Sequence, residues 1–258
     1  NALGSAGLLL RAYLEAWTFA QQRRAFGAAI GRYPLVLEAL AEIKSDLYGM
    51  LASTLRLSSL VNRIDLGLAT EQERAVHRLL VNVNKYATSL QASHGIRRAQ
   101  EIMGGNGAIE DFSVVPRLYR DAVVFESWEG SHNVLCLQAA RDMQRYDLHE
   151  RLFVYLGALL DSVTQTELAE AQDLILGQMD HARQRLERML SSSPDFVQTH
   201  VRRVVDHLAL LIQAACLLVE ADWELRQGPN TDKPAALAVF VNRHLRPGYD
   251  PMEDGQYL

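Results

Sequence analysis

The stretch Thr70–Gly105, TEQERAVHRLLVNVNKYATSLQASHGIRRAQEIMGG, contains no proline and one glycine before its final pair. Thr70 is followed three residues later by Glu73, the signature of a capping box at a helix start. Gly104–Gly105 supplies the backbone freedom that a helix exit uses. The spacing predicts one helix from Thr70 toward Met103. At about 1.5 Å per residue such a rod is roughly 40–50 Å long. A rod of that length buries its side chains against partners of similar length, and short connections between them make an antiparallel bundle.

The flanking segments read the same way. Leu10, Tyr13, Leu14 and Trp17 recur at helical spacing. They predict a first helix to about Arg24, ending before Phe26–Gly27, with a loop, AFGAAIGRYP, after it. Pro34 stands where a first helical residue tolerates proline. Leu40, Ile43, Leu47, Met50 and Leu51 then predict a second helix to about Leu60. Residues 108–130 look irregular, with a short helix near Arg117–Asp121. A further helix is predicted from about Ser131 to about Arg145, with Val134, Leu135, Leu137 and Ala140 among its apolar positions.

Beyond residue 147, Thr164 and Glu167 form a second capping-box signature, predicting a helix to about Leu190. SSSP at 191–194 reads as a turn and helix start. Val201, Val204, Leu208, Leu211, Ile212, Ala215 and Val219 form one apolar stripe, and Gly228–Pro229 breaks it. A last helix covers about Pro234–His244, and RPGYDPMEDGQYL reads as a loose end. No strand-length alternation is present. The expected class is all-α: a long-helix up-and-down bundle over 1–147 with an additional C-terminal helical segment over 148–258.

Composition limits function. The 258 residues carry a net charge of −5, and 48% are apolar. Residues 148–258 hold 10 Lys and Arg against 16 Asp and Glu, so the tail is the acidic part. That balance speaks against nucleic acid as a partner, since phosphate binding requires clustered cations. Cys136 and Cys216 both sit in apolar helical patterns and read as buried thiols. No disulfide framework or zinc spacing exists, which suits a reducing cytoplasm. The longest apolar run, Leu208–Val219, is too short to span a bilayer. The eight histidines do not cluster at metal-ligand spacing, so no metal site is expected. Asn1–Ala2 lead straight into a helical pattern without an initiating methionine, which reads as a tag remnant and a cut into a longer protein.

Four short stretches could carry chemistry, and each has a plainer reading. In QQRRAFGAAIG (21–31), guanidinium groups suit diphosphate oxygens, or simply complement a helix C-terminus. In EIMGGNGAIE (101–110), the glycines could let a ligand approach the main chain, or only end a helix. It follows a helix rather than a strand, so it is not a dinucleotide fingerprint. In PRLYRDAVV (116–124), Arg117, Arg120 and Asp121 suggest a structural ion pair. In FESWEGSHNVLCL (125–137), Glu129 lies beside Trp128. Burial against the indole would raise its pKa toward that of a general base; the alternative is a solvated or helix-capping acid.

Taken together and in order, RRAFG, EIMGGNG, PRLYRDA and SWEGSHN resemble the C-terminal helical domain of the acyl-CoA dehydrogenases, with WEGS…N…CL closest to the AidB-like branch. The resemblance covers about residues 1–147 and implies a flavoprotein that uses FAD to convert an acyl-CoA thioester to its α,β-unsaturated form. It makes Glu129 the base for the α-proton, with its own backbone N–H and a flavin hydroxyl stabilising the thioester oxyanion. Ser131 and Asn133 match flavin-side positions. Arg23 and Phe26 match residues that reach the adenine dinucleotide across a subunit interface, and Glu101, Gly104, Gly105 and Gly107 match a segment at that same far end. It further implies a homodimer or homotetramer, and an electron acceptor such as an electron-transfer flavoprotein. Because the family's N-terminal and middle domains have no counterpart here, the chain alone is expected to be inactive and to retain no FAD. Two rivals stand beside this reading: a helical assembly module without chemistry, and an AidB-like DNA-associated module. Arg183, Arg185, Arg188, Arg202 and Arg203 offer the latter only a weak basic patch.

Overall fold

The computed structural model describes residues 1–228 and 232–253. Nine α-helices are present among them: α1 (Ala2–Gln22), α2 (Pro34–Asp65), α3 (Glu71–Ile102), α4 (Val115–Ser127), α5 (His132–Tyr146), α6 (Leu148–Asp161), α7 (Ala169–Leu190), α8 (Pro194–Gln227) and α9 (Asp232–His244). The all-α reading stands.

The central helix is α3. Its capping box forms as expected: the Thr70 hydroxyl accepts from the Glu73 N–H, and the Glu73 carboxylate accepts from the Thr70 N–H. α1, α2, α4, α5, α6 and α8 all pack on it. Being covered on several sides, it buries polar groups as well as apolar ones, and these must find partners. Asn84 accepts from Ser53 and donates to Thr54 of α2. Gln91 and Gln213 of α8 exchange two amide hydrogen bonds of 2.7 and 2.8 Å. Tyr86 donates to Asp206 and accepts from Arg202, again on α8.

Two apolar clusters lie along α3. One joins α1, α4 and the outer halves of α2 and α3 through Leu9, Leu40, Leu47, Ile96 and Leu118. The other joins α5–α9 to the remaining halves of α2 and α3 through Leu60, Leu79, Met143, Phe153, Leu208 and Phe240. Residues beyond 147 therefore pack directly on α2 and α3. α9 approaches α2 at Gly49, where an added Cβ would lie 2.8 Å from the Phe240 ring. Arg243 and His244 lock this contact onto Asp46 at 3.0 and 2.7 Å.

Several boundaries differ from expectation. α2 continues to Asp65, and α4 spans 115–127 rather than 117–121. α6 was not foreseen, although Leu148, Leu152, Leu156 and Leu160 line one buried face. On α1 the large apolar stripe faces outward: Leu10, Leu14 and Trp17 are exposed, while Ala6, Leu9, Ala12, Ala16 and Ala20 are buried. Small residues let α1 approach α3 closely, and Leu9 sits against Gly95. The loop after α1 contains a two-residue antiparallel ladder, β1 (Arg24–Ala25) and β2 (Ala28–Ala29). The Thr164–Glu167 capping box does not form. Buried Asp222 of α8 instead accepts from the Thr164 and Gln165 N–H groups at 2.7 and 2.9 Å, and α7 begins at Ala169. α8 is long and apolar enough to cross a membrane by length and composition alone, yet 72% of that apolar window is buried inside the bundle, as in a core helix. Both cysteines are buried free thiols, as expected. The expected break at Gly228–Pro229 and the loose end lie partly outside the described residues; α8 does end at Gln227.

Candidate active site

Glu129 stands between α4 and α5. α4 ends at Ser127, where the Trp128 N–H makes the last bond back to Val124. The chain then turns through two residues of positive φ, Glu129 at 63° and Gly130 at 114°. A non-glycine residue in that region is uncommon and costs of order 1–3 kcal/mol. The turn leaves the Glu129 N–H without a bond to any described residue. It also leaves the Glu129 carboxylate at the rim of a cleft of about 480 Å³ lined by the start of α1, by Leu57 and Val61 of α2, by Val81 and Lys85 of α3, and by Leu135.

Glu129 is exposed within these residues, and Trp128, 61% exposed, turns its ring edge-on to Phe125 rather than over the carboxylate. The apolar burial expected for Glu129 is thus not supplied by its own neighbours. Ser131 is the N-cap of α5, but its hydroxyl caps nothing. Ser131 and Asn133 are both exposed beside the turn.

The remaining expected site residues lie at the far end of α3, near its exit. α1 and α3 run in the same direction, with Asn1 near Lys85, Leu9 on Gly95, and Phe19 edge-on to Phe112 beyond the exit of α3. Lys85 and Glu101 are 16 positions apart on α3, about 24 Å at the helical rise. Glu129 and Ser131 therefore sit beside the middle of α3, and Arg23, Phe26, Glu101, Gly104 and Gly105 near its exit. This chain does not bring the two groups together.

At that far end, Phe26 and Gly27 both have positive φ, the geometry of a tight hairpin turn. Tyr33 holds the turn by donating to the Ala25 and Phe26 carbonyls at 2.8 and 2.9 Å. Phe26 is left 98% exposed at the tip, and Arg23 is exposed beside it. The glycines divide by role. Gly104 has φ of 60° and makes the helix exit. Gly107 is buried, and a Cβ there would lie 2.4 Å from the Gln100 carbonyl oxygen. Gly105 meets nothing within 4 Å and is open to approach from outside. An uncovered aromatic, a free guanidinium and bare backbone fit a ligand or subunit that docks from outside this chain.

The other sequence features resolve more plainly. Arg120 pairs with Glu110 rather than with a residue of its own helix. Arg202 leaves the basic patch to bond Tyr86. Arg185, Arg188 and Arg203 remain around a groove of about 310 Å³ with Phe196 and His200. Lys85 was not foreseen; its contacts with the Glu129 turn span 41 and 45 residues, beyond any local signal.

The family description "Acyl-CoA dehydrogenase, C-terminal domain" matches residues 1–144. The chain belongs to the acyl-CoA dehydrogenase family. Among curated relatives of this acyl-CoA dehydrogenase domain, the putative acyl-CoA dehydrogenase AidB of Escherichia coli is 33% identical over 157 residues, which is 59% of this chain and 28% of that protein. Acyl-CoA dehydrogenase family member 11 of Caenorhabditis elegans is 26% identical over 217 residues, 82% of this chain and 34% of that protein. The chain thus spans about a third of the length of these relatives. The crystal structure of C. elegans ACDH-11 in complex with C11-CoA superposes on all of this chain and 43% of that one, with a TM-score of 0.86 at 22% identity. An FAD-complexed acyl-CoA dehydrogenase from Bacillus anthracis covers 95% of this chain and 44% of its own, with a TM-score of 0.78 at 18% identity. The fold likeness extends through α6–α9.

Proposed function

We propose that this chain is the C-terminal part of an FAD-dependent acyl-CoA dehydrogenase in which Glu129 removes the α-proton of an acyl-CoA thioester. The observation that carries the reading is the Glu129 turn: a positive-φ glutamate at a cleft rim with its own N–H unbonded. The carboxylate accepts the proton. The free N–H donates to the thioester oxygen, where negative charge grows as the proton leaves, and so lowers the cost of forming the enolate. An acyl chain entering the cleft meets Leu57, Val61 and Val81 and excludes water from the exposed carboxylate, which raises its basicity. Bound FAD would supply the acceptor for the β-hydrogen, which would leave as hydride. In this proposal Ser131 and Asn133 would hold its near side, and Arg23, Phe26, Glu101, Gly104 and Gly105 the far side of a cofactor shared between subunits. Gly107 acts through the shape of the turn, being buried. The C11-CoA bound to the nematode relative supports an acyl-CoA ligand.

The exposed Leu10, Leu14 and Trp17 of α1 support covering by another subunit or by upstream chain. A homodimer or homotetramer, reoxidised by an electron-transfer flavoprotein, completes the proposal. The test is anaerobic mixing of the FAD-loaded full-length protein with acyl-CoA thioesters of graded length. Bleaching of the flavin band by at least one thioester is expected. A stably flavinylated protein that no acyl-CoA reduces contradicts the reading. The groove lined by Arg185, Arg188, Arg203 and His200 favours a second role in binding a polyanion. DNA retention that weakens with salt and is lost on replacing those arginines would establish it.

A further inference from the structure

We propose that Lys85 of α3 is the positioning residue that holds the Glu129 turn in its working conformation. Its ammonium donates to the Glu126 carbonyl at 3.1 Å and to the Gly130 carbonyl at 2.6 Å, one on each side of Glu129. The Glu126 carbonyl belongs to the last turn of α4, where carbonyls lack intrahelical partners and the helix dipole is negative. A buried cation answers both needs. Lys85 is only 6% exposed and rises from a helix covered on several sides, so the clamp has a rigid base.

The turn has reason to need a clamp. Glu129 at φ 63° would relax toward ordinary backbone if nothing held its flanks. Relaxation would swing both the carboxylate and the Glu129 N–H, the two groups that must meet one thioester at once. Lys85 and Glu129 line the same cleft; burial holds the Lys85 pKa below its ordinary value, and the nearby charges of Glu129 and Glu126 offset only part of that. Lysine suits the position because its donors radiate from one small nitrogen and reach two carbonyls that diverge. The inference rests on Glu129 being the base; Lys85 acts through it.

The test uses the FAD-loaded full-length protein with Lys85→Met, which keeps the apolar stem and removes the donors, alongside Glu129→Gln and the double variant. Misplacement by about 1 Å can cost on the order of 10²-fold in rate. Lys85→Met is expected to lower kcat by about that factor with KM within about threefold. In the Glu129→Gln background it should cost nothing further. Amide hydrogen exchange over residues 123–131 should quicken at least about tenfold, while exchange elsewhere stays as in the parent. Unchanged kcat in Lys85→Met, an equal loss in both backgrounds, or unaltered exchange at the turn would overturn the proposal. If Lys85→Met does not fold, Lys85→Gln, which keeps one shorter donor, is expected to show intermediate kcat and intermediate exchange; parental values in both overturn the clamp. Turnover unaffected by Glu129→Gln would instead remove the base reading, and the exchange result would still decide whether Lys85 holds the turn.

Discussion

At position 107 a single methyl group would collide with main chain. The Cβ would lie 2.4 Å from the Gln100 oxygen and 2.9 Å from the Gln100 Cα, and backbone cannot swing aside as a side chain can. Gly107→Ala should therefore destabilise the protein by about 1–3 kcal/mol, seen as a thermal midpoint lowered by several degrees. Gly105→Ala has open space on all sides and should melt like the parent; similar midpoints for both variants would refute the assignment of roles. From sequence, GGNG was legible as a helix exit, but which glycine serves packing, which the turn and which open access depends on the folded path. Glu129 was legible only as the last of four ordered stretches. Its local environment misled, because Trp128 turns to Phe125 and leaves the carboxylate uncovered. Lys85 was invisible, since nothing near it in the chain marks a partner on the far side of a turn.

Among the elements, helices with strong punctuation were placed well. Thr70, Pro34 and Ser193–Pro194 each begin a helix where their chemistry favours one. Other patterns mark a helix without fixing its surroundings. The bulky stripe of α1 marks the helix, but the alanine face is the buried one because close approach to α3 demands small residues. Thr164–Glu167 suggested a box, yet a buried aspartate from α8 accepts the orphan N–H groups first. The α7–α8 pair also carries a pH signature. His207 is packed on α8 with its Nδ1 unpartnered; burial, then Arg185 and His181, push its pKa down to about 4. In the unfolded chain a histidine titrates near 6.5, so between those values the unfolded state binds more protons. Stability should hold above about pH 6.5 and fall as pH drops toward 4. His207→Gln should flatten that decline in urea melts at stepped pH. An identical slope in parent and variant would show that His207 is not responsible.

For the molecule as a whole, the tail is structural to the bundle. Leu60, Leu79, Leu80 and Val83 are covered by a cluster that draws on α5–α9, and each buried aliphatic side chain contributes about 1.5–3 kcal/mol. A chain cut after Asp147 should lose cooperative melting and bind a hydrophobic dye; a sharp, reversible transition would show that residues 1–147 stand alone. The helical class and the family were readable from spacing and from four short stretches. The dependence of α2 and α3 on the tail was not, because those contacts join residues as far apart as Gly49 and Phe240. That same architecture fixes the Glu129 turn beside the middle of a rod buried along its length, and proton removal by Glu129 is the claim on which the function rests. The most direct measurement is deuterium incorporation at the α-carbon of a saturated acyl-CoA in D₂O, catalysed by the full-length protein with and without Glu129→Gln. The account predicts that exchange falls by about 10²–10⁴-fold in the variant; exchange at the parental rate would contradict it.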